Sequence, residues 1–206
     1  MSLIQNLEQL DKEFTLLVNQ WSCHYADWFW QFMSNRLVWI PLYIFLIYLL
    51  FRRFGWKRGL VLLAFGVAMI LVTDQFCNFV KNSVARFRPC HDTWMVENGL
   101  RLLERHGSKY GFFSGHSANS FALAAFFTLV FKKKAPRRMT GCLLYGWAAA
   151  VAVSRIFVGK HFFGDITVGA VVGIILGLAF AGAALALTEK VWPSPSGFHG
   201  NPSPEE

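Results

Sequence analysis

Apolar residues in this chain come in long runs rather than in the short alternations of a soluble domain. Segments 37–51, 60–80, 117–131, 139–157 and 166–187 are almost continuously hydrophobic. A bilayer's hydrocarbon core is about 30 Å thick, and a helix rising about 1.5 Å per residue needs roughly 20 apolar residues to cross it. The second, fourth and fifth segments have about that length. The first and third reach it by extending into polar or aromatic flanks, and Pro41 falls in the first turn of the first span, where a missing N–H costs little. The pattern predicts an all-α fold, a polytopic membrane helix bundle with about five to six transmembrane helices.

The N-terminal stretch 4–35 reads differently. It interleaves apolar residues with Glu8, Asp11, Lys12, Glu13 and Asp27, and it holds Trp21, Trp28 and Trp30. Tryptophan favours headgroup depth, so amphipathic helices lying at the outer membrane interface are expected, with a sixth span as the alternative. At the other end, 192–206 is rich in Pro, Ser and Gly and has no means of burying a core. The expected division is therefore an amphipathic interfacial segment 1–36, a membrane domain 37–190 and a disordered tail 191–206. No internal repeat is visible.

Composition agrees: 54% of residues are hydrophobic and 17% aromatic, too many for a soluble domain of 206 residues. A formal net charge of +8 raises the question of nucleic acid, but the cations cluster between apolar runs, which is a membrane pattern, and no nucleic-acid partner is expected. Arg52, Arg53, Lys57 and Arg58 lie between the first two spans; Lys132, Lys133, Lys134, Arg137 and Arg138 lie between the third and fourth. Short, densely basic loops stay in the cytoplasm. That places 81–115 and 155–165 together on the outer face of the cell (inner) membrane. Four cysteines show no C-x-x-C spacing, so neither a zinc site nor a disulfide framework is indicated. The first ten residues carry the acid Glu8 and no long apolar core, so no cleavable signal peptide is expected.

Three polar islands interrupt the apolar sequence. In the last, Ser154-Arg155 is followed after five residues by His161 and after three more by Asp165. His and Asp four apart share a helix face, and a carboxylate on one ring nitrogen fixes the tautomer and frees the other to attack. Arg155 offers a fork that matches phosphate oxygens, although snorkelling is the commoner fate of such a residue. Upstream, Asp74, Asn78, Lys81, Ala85 and Arg88 follow a 4-3-4-3 spacing, which predicts one polar helix stripe aiming Lys81 and Arg88 at one anion, with Pro89 ending the helix. Arg86 lies off that stripe, solvated or bound to headgroups, and Asp74 reads as a structural partner for a cation or hydroxyl. The middle island, Ser114-Gly115-His116, opens a span: Ser114 suits an N-cap, Gly115 allows close approach, and the first free N–H groups of a helix attract anions. Asn119 and Ser120, one turn along, are placed to orient His116. His91 and Asp92 have no partner at metal-ligand spacing, and no metal is expected. His24, His106 and His199 read as surface residues.

Taken in order, Lys81-x6-Arg88-Pro89, Ser114-Gly115-His116 and Ser154-Arg155-x5-His161-x3-Asp165 resemble the three-part signature of the type-2 phosphatidic acid phosphatase superfamily. Phe113 stands where that family usually has proline. The resemblance implies a phosphatase that needs no metal or other cofactor. In it His161 is the nucleophile that becomes a phosphohistidine, Asp165 holds its far nitrogen, and His116 protonates the leaving oxygen. Lys81, Arg88, Ser114, Gly115 and Arg155 bind the phosphate. The five apolar spans argue against the soluble vanadate-dependent haloperoxidases of the same superfamily. A rival from another class, a non-enzymatic anion or lipid carrier, needs charges near the midplane, whereas these lie at one face. The implied partners are the bilayer and a membrane lipid phosphate. Undecaprenyl diphosphate is the first expectation, with phosphatidylglycerol phosphate, phosphatidic acid and lipid A phosphates as alternatives. Segment 92–111 is expected to form an amphipathic lid, and the oligomeric state is open.

Overall fold

The computed structural model describes residues 3–21, 23–132 and 137–193. Helices α1 (Leu3–Gln20) and α2 (His24–Ser34) lead through a short 3-10 turn (Arg36–Trp39) into α3 (Ile40–Val84). Then come α4 (Thr93–Glu97), α5 (Gly115–Val130), α6 (Arg137–Phe157) and α7 (Phe163–Val191). The fold is a polytopic membrane bundle. Arg36–Val84, Met139–Phe157 and Phe163–Val191 are long and apolar enough to cross a bilayer, and the first, at 49 residues, is long enough to cross twice.

That first stretch holds two of the expected spans. Helix α3 breaks at Gly55, whose φ of 73° suits a residue without a Cβ, and its two arms fold against each other. Leu46 and Leu50 from one arm share a core with Leu62 and Met69 from the other. The basic cluster 52–58 sits at this break. Helix α5, with 16 residues, is too short to cross alone, but it forms the centre of the bundle, with Ala118, Ala122, Ala124, Ala125 and Phe126 buried.

Its closest neighbour is α7. Gly169, Gly173 and Gly177 present one bare stripe to α5; a Cβ at Gly169 would lie 2.7 Å from the Ser114 carbonyl oxygen, and at the other two closer still to the carbonyls of Ala118 and Ala122. Small residues let helix backbones touch where surrounding lipid supplies no hydrophobic drive for association. The outward faces carry Ile44, Phe45, Phe79, Val171, Ile175 and Leu178, all exposed, as lipid-facing surfaces require.

The helix ends sort into two sets. Arg53 lies 4.9 Å from the centre of the Phe131 ring, and Arg58 donates to the Trp192 carbonyl, so the break in α3 gathers with the C-terminal ends of α5 and α7. The C-termini of α3 and α6 and the N-termini of α5 and α7 meet at the opposite end, and that end carries all three polar islands.

Helix α1 is amphipathic with its polar face turned inward. Asn19 donates to the carbonyls of Ile156 (2.8 Å) and Arg101 (3.0 Å), Thr15 accepts the Phe163 N–H (2.9 Å), and Lys12 pairs with Asp92 at 2.8 Å. Leu3, Leu7, Leu10, Phe14 and Leu17 form the exposed stripe. Segment 92–111 is docked rather than free: Met95 is fully buried beside Leu16 and Phe162, and Leu103 N–H donates to the Val158 carbonyl at 3.4 Å. Residues 133–136 of the second basic loop and 194–206 of the expected tail lie outside the described residues.

Candidate active site

The chain after α6 folds back on itself. The N–H groups of Lys160 and His161 both donate to the Arg155 carbonyl, at 2.9 and 3.2 Å, which brings His161 back beside the arginine that precedes it by six residues. Helix α7 then starts, and Asp165 in its first turn reaches back to accept the Phe162 N–H at 3.1 Å, satisfying a free donor of the helix start. The same oxygen, Oδ2, lies 3.4 Å from His161 Nδ1, so one carboxylate both caps the helix and faces the imidazole. His161 is 2% exposed and Asp165 0%. Burial first, then Arg88, Arg155, Lys81 and Lys160, pushes the His161 pKa well below the ordinary imidazole value. The ring is therefore neutral at physiological pH, with Nε2 carrying a lone pair if Nδ1 holds the proton toward Asp165.

The cations arrive from separate elements. Lys81 ends α3, and its Nζ would lie 3.7 Å from a Cβ added to Gly115, so it sits over the start of α5. Arg88 comes from an extended stretch rather than a helix stripe. Helix α3 stops at Val84, Ala85 takes a left-handed conformation (φ 51°), and the strand-like pairing Phe87 with Tyr110 follows. Arg88 donates through Nε to the Tyr110 carbonyl (3.1 Å) and through Nη2 to Ser108 Oγ (2.8 Å). Arg155, 4% exposed, donates through Nη1 to Ser34 and lies 3.3 Å from Glu104, whose carboxylate also accepts from the Ser34 hydroxyl. Ser114 is the N-cap of α5: its Oγ accepts the Ser117 N–H at 3.4 Å, which leaves its own hydrogen free to donate elsewhere.

Three further expectations change. Arg86 is not solvated: Nη1 lies 2.9 Å from Asp165 Oδ1 and Nη2 2.8 Å from Asp11 Oδ2, with the guanidinium over the Phe162 ring at 4.2 Å. A buried carboxylate at the site draws in a cation that spacing alone put on the surface. Asn119 and Ser120 do not hold His116; Asn119 Nδ2 donates to Asp74 (2.7 Å) and Ser120 Oγ to the Ser117 carbonyl (3.1 Å). Asp74 thus partners an amide rather than a cation or hydroxyl. What faces His116 is Arg36, from the turn before α3, whose Nε donates to Nε2 at 3.2 Å. Its Nη2 also lies 3.4 Å from Nδ1, so the guanidinium spans both ring nitrogens.

Arg36, Arg86 and Lys160, together with Asp11, Ser34 and Glu104, are the site residues that spacing did not find. Arg36 reads in sequence as one more cation at the mouth of a span, and Lys160 as part of the loop before His161.

Two openings meet at His116. One is a shallow cleft lined by Ser34, Arg36, Glu104 and Arg155. The other is a cavity of about 400 Å³ running between the arms of α3 and against α5 and α6, with an almost wholly apolar lining. A cationic pocket that opens onto an apolar cavity fits a molecule with an anionic head and a hydrocarbon body.

Known proteins share this plan. The chain is 31% identical over 191 residues to the lipid A 4'-phosphatase of Bacteroides thetaiotaomicron, covering 92% of this chain and 83% of that protein. It is 30% identical over 175 residues to the lipid A 4'-phosphatase of Porphyromonas gingivalis, covering 82% and 70% respectively. The fold resembles a crystal structure of a transmembrane PAP2-type phosphatidylglycerolphosphate phosphatase from Bacillus subtilis, with a TM-score of 0.67 at 19% identity over 91% of this chain and 89% of that one. It also resembles Aquifex aeolicus LpxE, with a TM-score of 0.59 at 22% identity over 82% and 93%. The model of the PAP2 superfamily matches residues 59–188, which include every motif residue from Lys81 to Asp165, and the chain belongs to that superfamily as one of its membrane lipid phosphatases.

Proposed function

We propose that this membrane phosphatase removes a phosphate from a lipid A-type glycolipid through a phosphohistidine at His161. The observation that carries the chemistry is the buried His161, with Asp165 Oδ2 3.4 Å from its Nδ1 and the charges of Arg88, Arg155 and Lys81 lowering its pKa. In the first step Nε2 attacks phosphorus and the bond from phosphorus to the lipid oxygen breaks, while His116 gives that oxygen a proton. In the second, water attacks the phosphohistidine, His116 takes its proton, and inorganic phosphate leaves. Lys81, Arg88, Arg155, the Ser114 hydroxyl and the Gly115 N–H stabilise the three equatorial oxygens, where transition-state charge collects.

Arg36 fits this cycle. An incoming phosphate dianion offers its guanidinium a stronger acceptor than a neutral ring nitrogen, and the same dianion favours a protonated His116. Moving Arg36 onto the phosphate arms the acid.

Support for the substrate comes from the curated relatives in Bacteroides and Porphyromonas, both named for lipid A 4'-phosphate. They favour that alternative over the undecaprenyl diphosphate first expected. The basic break at 52–58 lies at the end of the bundle opposite the site, which supports an active site on the outer face of the inner membrane. The test is phosphate release by purified protein from lipid A, undecaprenyl diphosphate, phosphatidylglycerol phosphate and phosphatidic acid. The highest kcat/KM is expected for lipid A, with loss of the 4'-phosphate and an acid-labile, alkali-stable phosphoenzyme. A tenfold preference for any other lipid overturns the substrate, and substantial turnover by His161→Ala overturns the mechanism.

A further inference from the structure

One polar feature sits inside the apolar cavity where a membrane protein has little reason to place it. Asp74 on α3 and Asn119 on α5 both line the cavity among Tyr43, Ile70, Leu71 and Leu123. They are joined by a single hydrogen bond of 2.7 Å. Asn119 Oδ1 is buried with no hydrogen-bond partner, and among the described residues Asn119 is the one donor to the Asp74 carboxylate. Polar groups at membrane depth that lack partners are costly, and ionisable groups there mark functional positions.

The shortfall has a sign. A carboxylate has about four acceptor sites, and the amide oxygen adds further ones, so the pair has acceptors to spare and lacks donors. A phosphate or carbonyl group does not meet that need. A metal ion is a poor occupant as well, because among the described residues no group of three or more His, Cys, Asp or Glu is arranged to hold one. What fits is an uncharged donor that travels with a hydrocarbon chain.

Position narrows it further. Asn119 follows His116 by three residues, about one helical turn or roughly 5 Å along α5, and Asp74 precedes Lys81 by two turns on α3. The pair therefore lies just below the phosphate pocket on the bilayer side, at the depth reached by the first few carbons of an acyl chain. The cavity's mouth carries Arg36 and His116, and its walls are apolar, which commits the occupant to a lipid phosphate entering head-up.

We propose that Asp74 and Asn119 form a subsite for a hydroxyl borne on the acyl chain of the phosphorylated lipid near its head, making the enzyme selective for hydroxyacyl lipids. This rests on the lipid A reading, since lipid A carries hydroxyacyl chains whereas polyprenyl chains carry no hydroxyl. The Asp74 carboxylate accepts the hydroxyl proton and Asn119 keeps the carboxylate oriented. A site built to bond a substrate hydroxyl rejects the analogue that lacks it, because its own polar groups are then left unpaired.

The test uses two synthetic acyl-glucosamine 4-phosphates that differ only in a hydroxyl on the third carbon of each chain, presented in detergent micelles to the full-length protein. The wild type is expected to favour the hydroxylated lipid by about tenfold or more in kcat/KM, mainly through KM. In Asp74→Leu and Asn119→Leu that ratio collapses toward one. If the wild type hydrolyses both lipids equally, the subsite is wrong while the glycolipid reading stands, and this outcome needs no variant to fold. If it hydrolyses neither but cleaves undecaprenyl diphosphate, both fall. A ratio preserved in folded Asp74→Leu and Asn119→Leu protein also overturns the assignment, leaving the pair as a staple between α3 and α5.

Discussion

Replacing Arg86 by glutamine tests how the proposed nucleophile His161 and its partner Asp165 are held. Its guanidinium bridges two carboxylates, at 2.9 Å to Asp165 and 2.8 Å to Asp11. Asp165 has a side chain that is 0% exposed, against 19% for Arg86, so water does little to replace the lost cation. A hydrogen bond to a charged group contributes about 1.5–3 kcal/mol, and stripping a buried ion of its partner costs about 3–5 kcal/mol. Asp165 keeps the Phe162 N–H and the His161 ring, which puts the expected loss near the lower range. If about 2 kcal/mol of that appears in the barrier, the rate falls by roughly thirtyfold. Phosphate release should show kcat reduced by about 10- to 100-fold with KM changed by no more than about threefold, because Arg86 holds Asp165 and not the phosphate. Arg86→Lys keeps the charge without the fork and should fall between. Thermal unfolding of the same preparations separates loss of positioning from loss of fold. Undiminished kcat in folded Arg86→Gln protein, or a rise in KM alone, refutes the reasoning; the second result would put Arg86 on the substrate.

Four further outcomes are expected. His161→Ala and His116→Ala each lower phosphate release by about a thousandfold or more while the protein stays folded in detergent, measured by turnover beside thermal unfolding. Activity persists in excess chelator and is blocked by vanadate, a mimic of the five-coordinate phosphorus; loss with chelator that magnesium or zinc restores points to another phosphatase class. Stability falls as pH drops below about 6.5, because the unfolded chain takes up a proton at His161 that the native state, with its depressed pKa, refuses; chemical unfolding across pH 5 to 8 reads the slope, which His161→Gln should reduce. In protein lacking Cys23 and Cys142, an impermeant thiol reagent labels Val96→Cys in intact spheroplasts and Lys57→Cys only after lysis, and the reverse pattern puts the active site in the cytoplasm.

The bundle was legible because lipid-facing helices must be apolar throughout, and runs of such residues have few other readings. The histidines, Asp165 and Arg155 stood out as candidates because a polar island in such a run is expensive. Other parts depended on partners that spacing does not name. The 4-3-4-3 stripe put Lys81 and Arg88 on one helix, but Ala85 turns left-handed and ends it, and no glycine or proline signals that stop. The stripe's failure hid Arg86, whose role appears only when Asp11 and Asp165 converge on it. Periodicity showed that α1 is amphipathic without showing which face meets the protein. Glycines at 169, 173 and 177 have meaning only once α5 lies against them.

The inward polar face of α1 has a practical consequence for anyone who cuts this protein down. The family match begins at residue 59, yet Asp11 accepts both Arg86 and the Gly164 N–H that opens the helix of Asp165. A version trimmed to the matched region would retain every motif residue and lose the acid that anchors Arg86. The outer stripe of α1, Leu3, Leu7, Leu10, Phe14 and Leu17, offers an exposed apolar face to surrounding lipid or detergent. The amphiphile chosen for purification is therefore expected to set the seating of a helix that reaches Asp165 through Arg86 and the start of α7 through the Gly164 N–H, and specific activity should vary with that choice even where the fold does not.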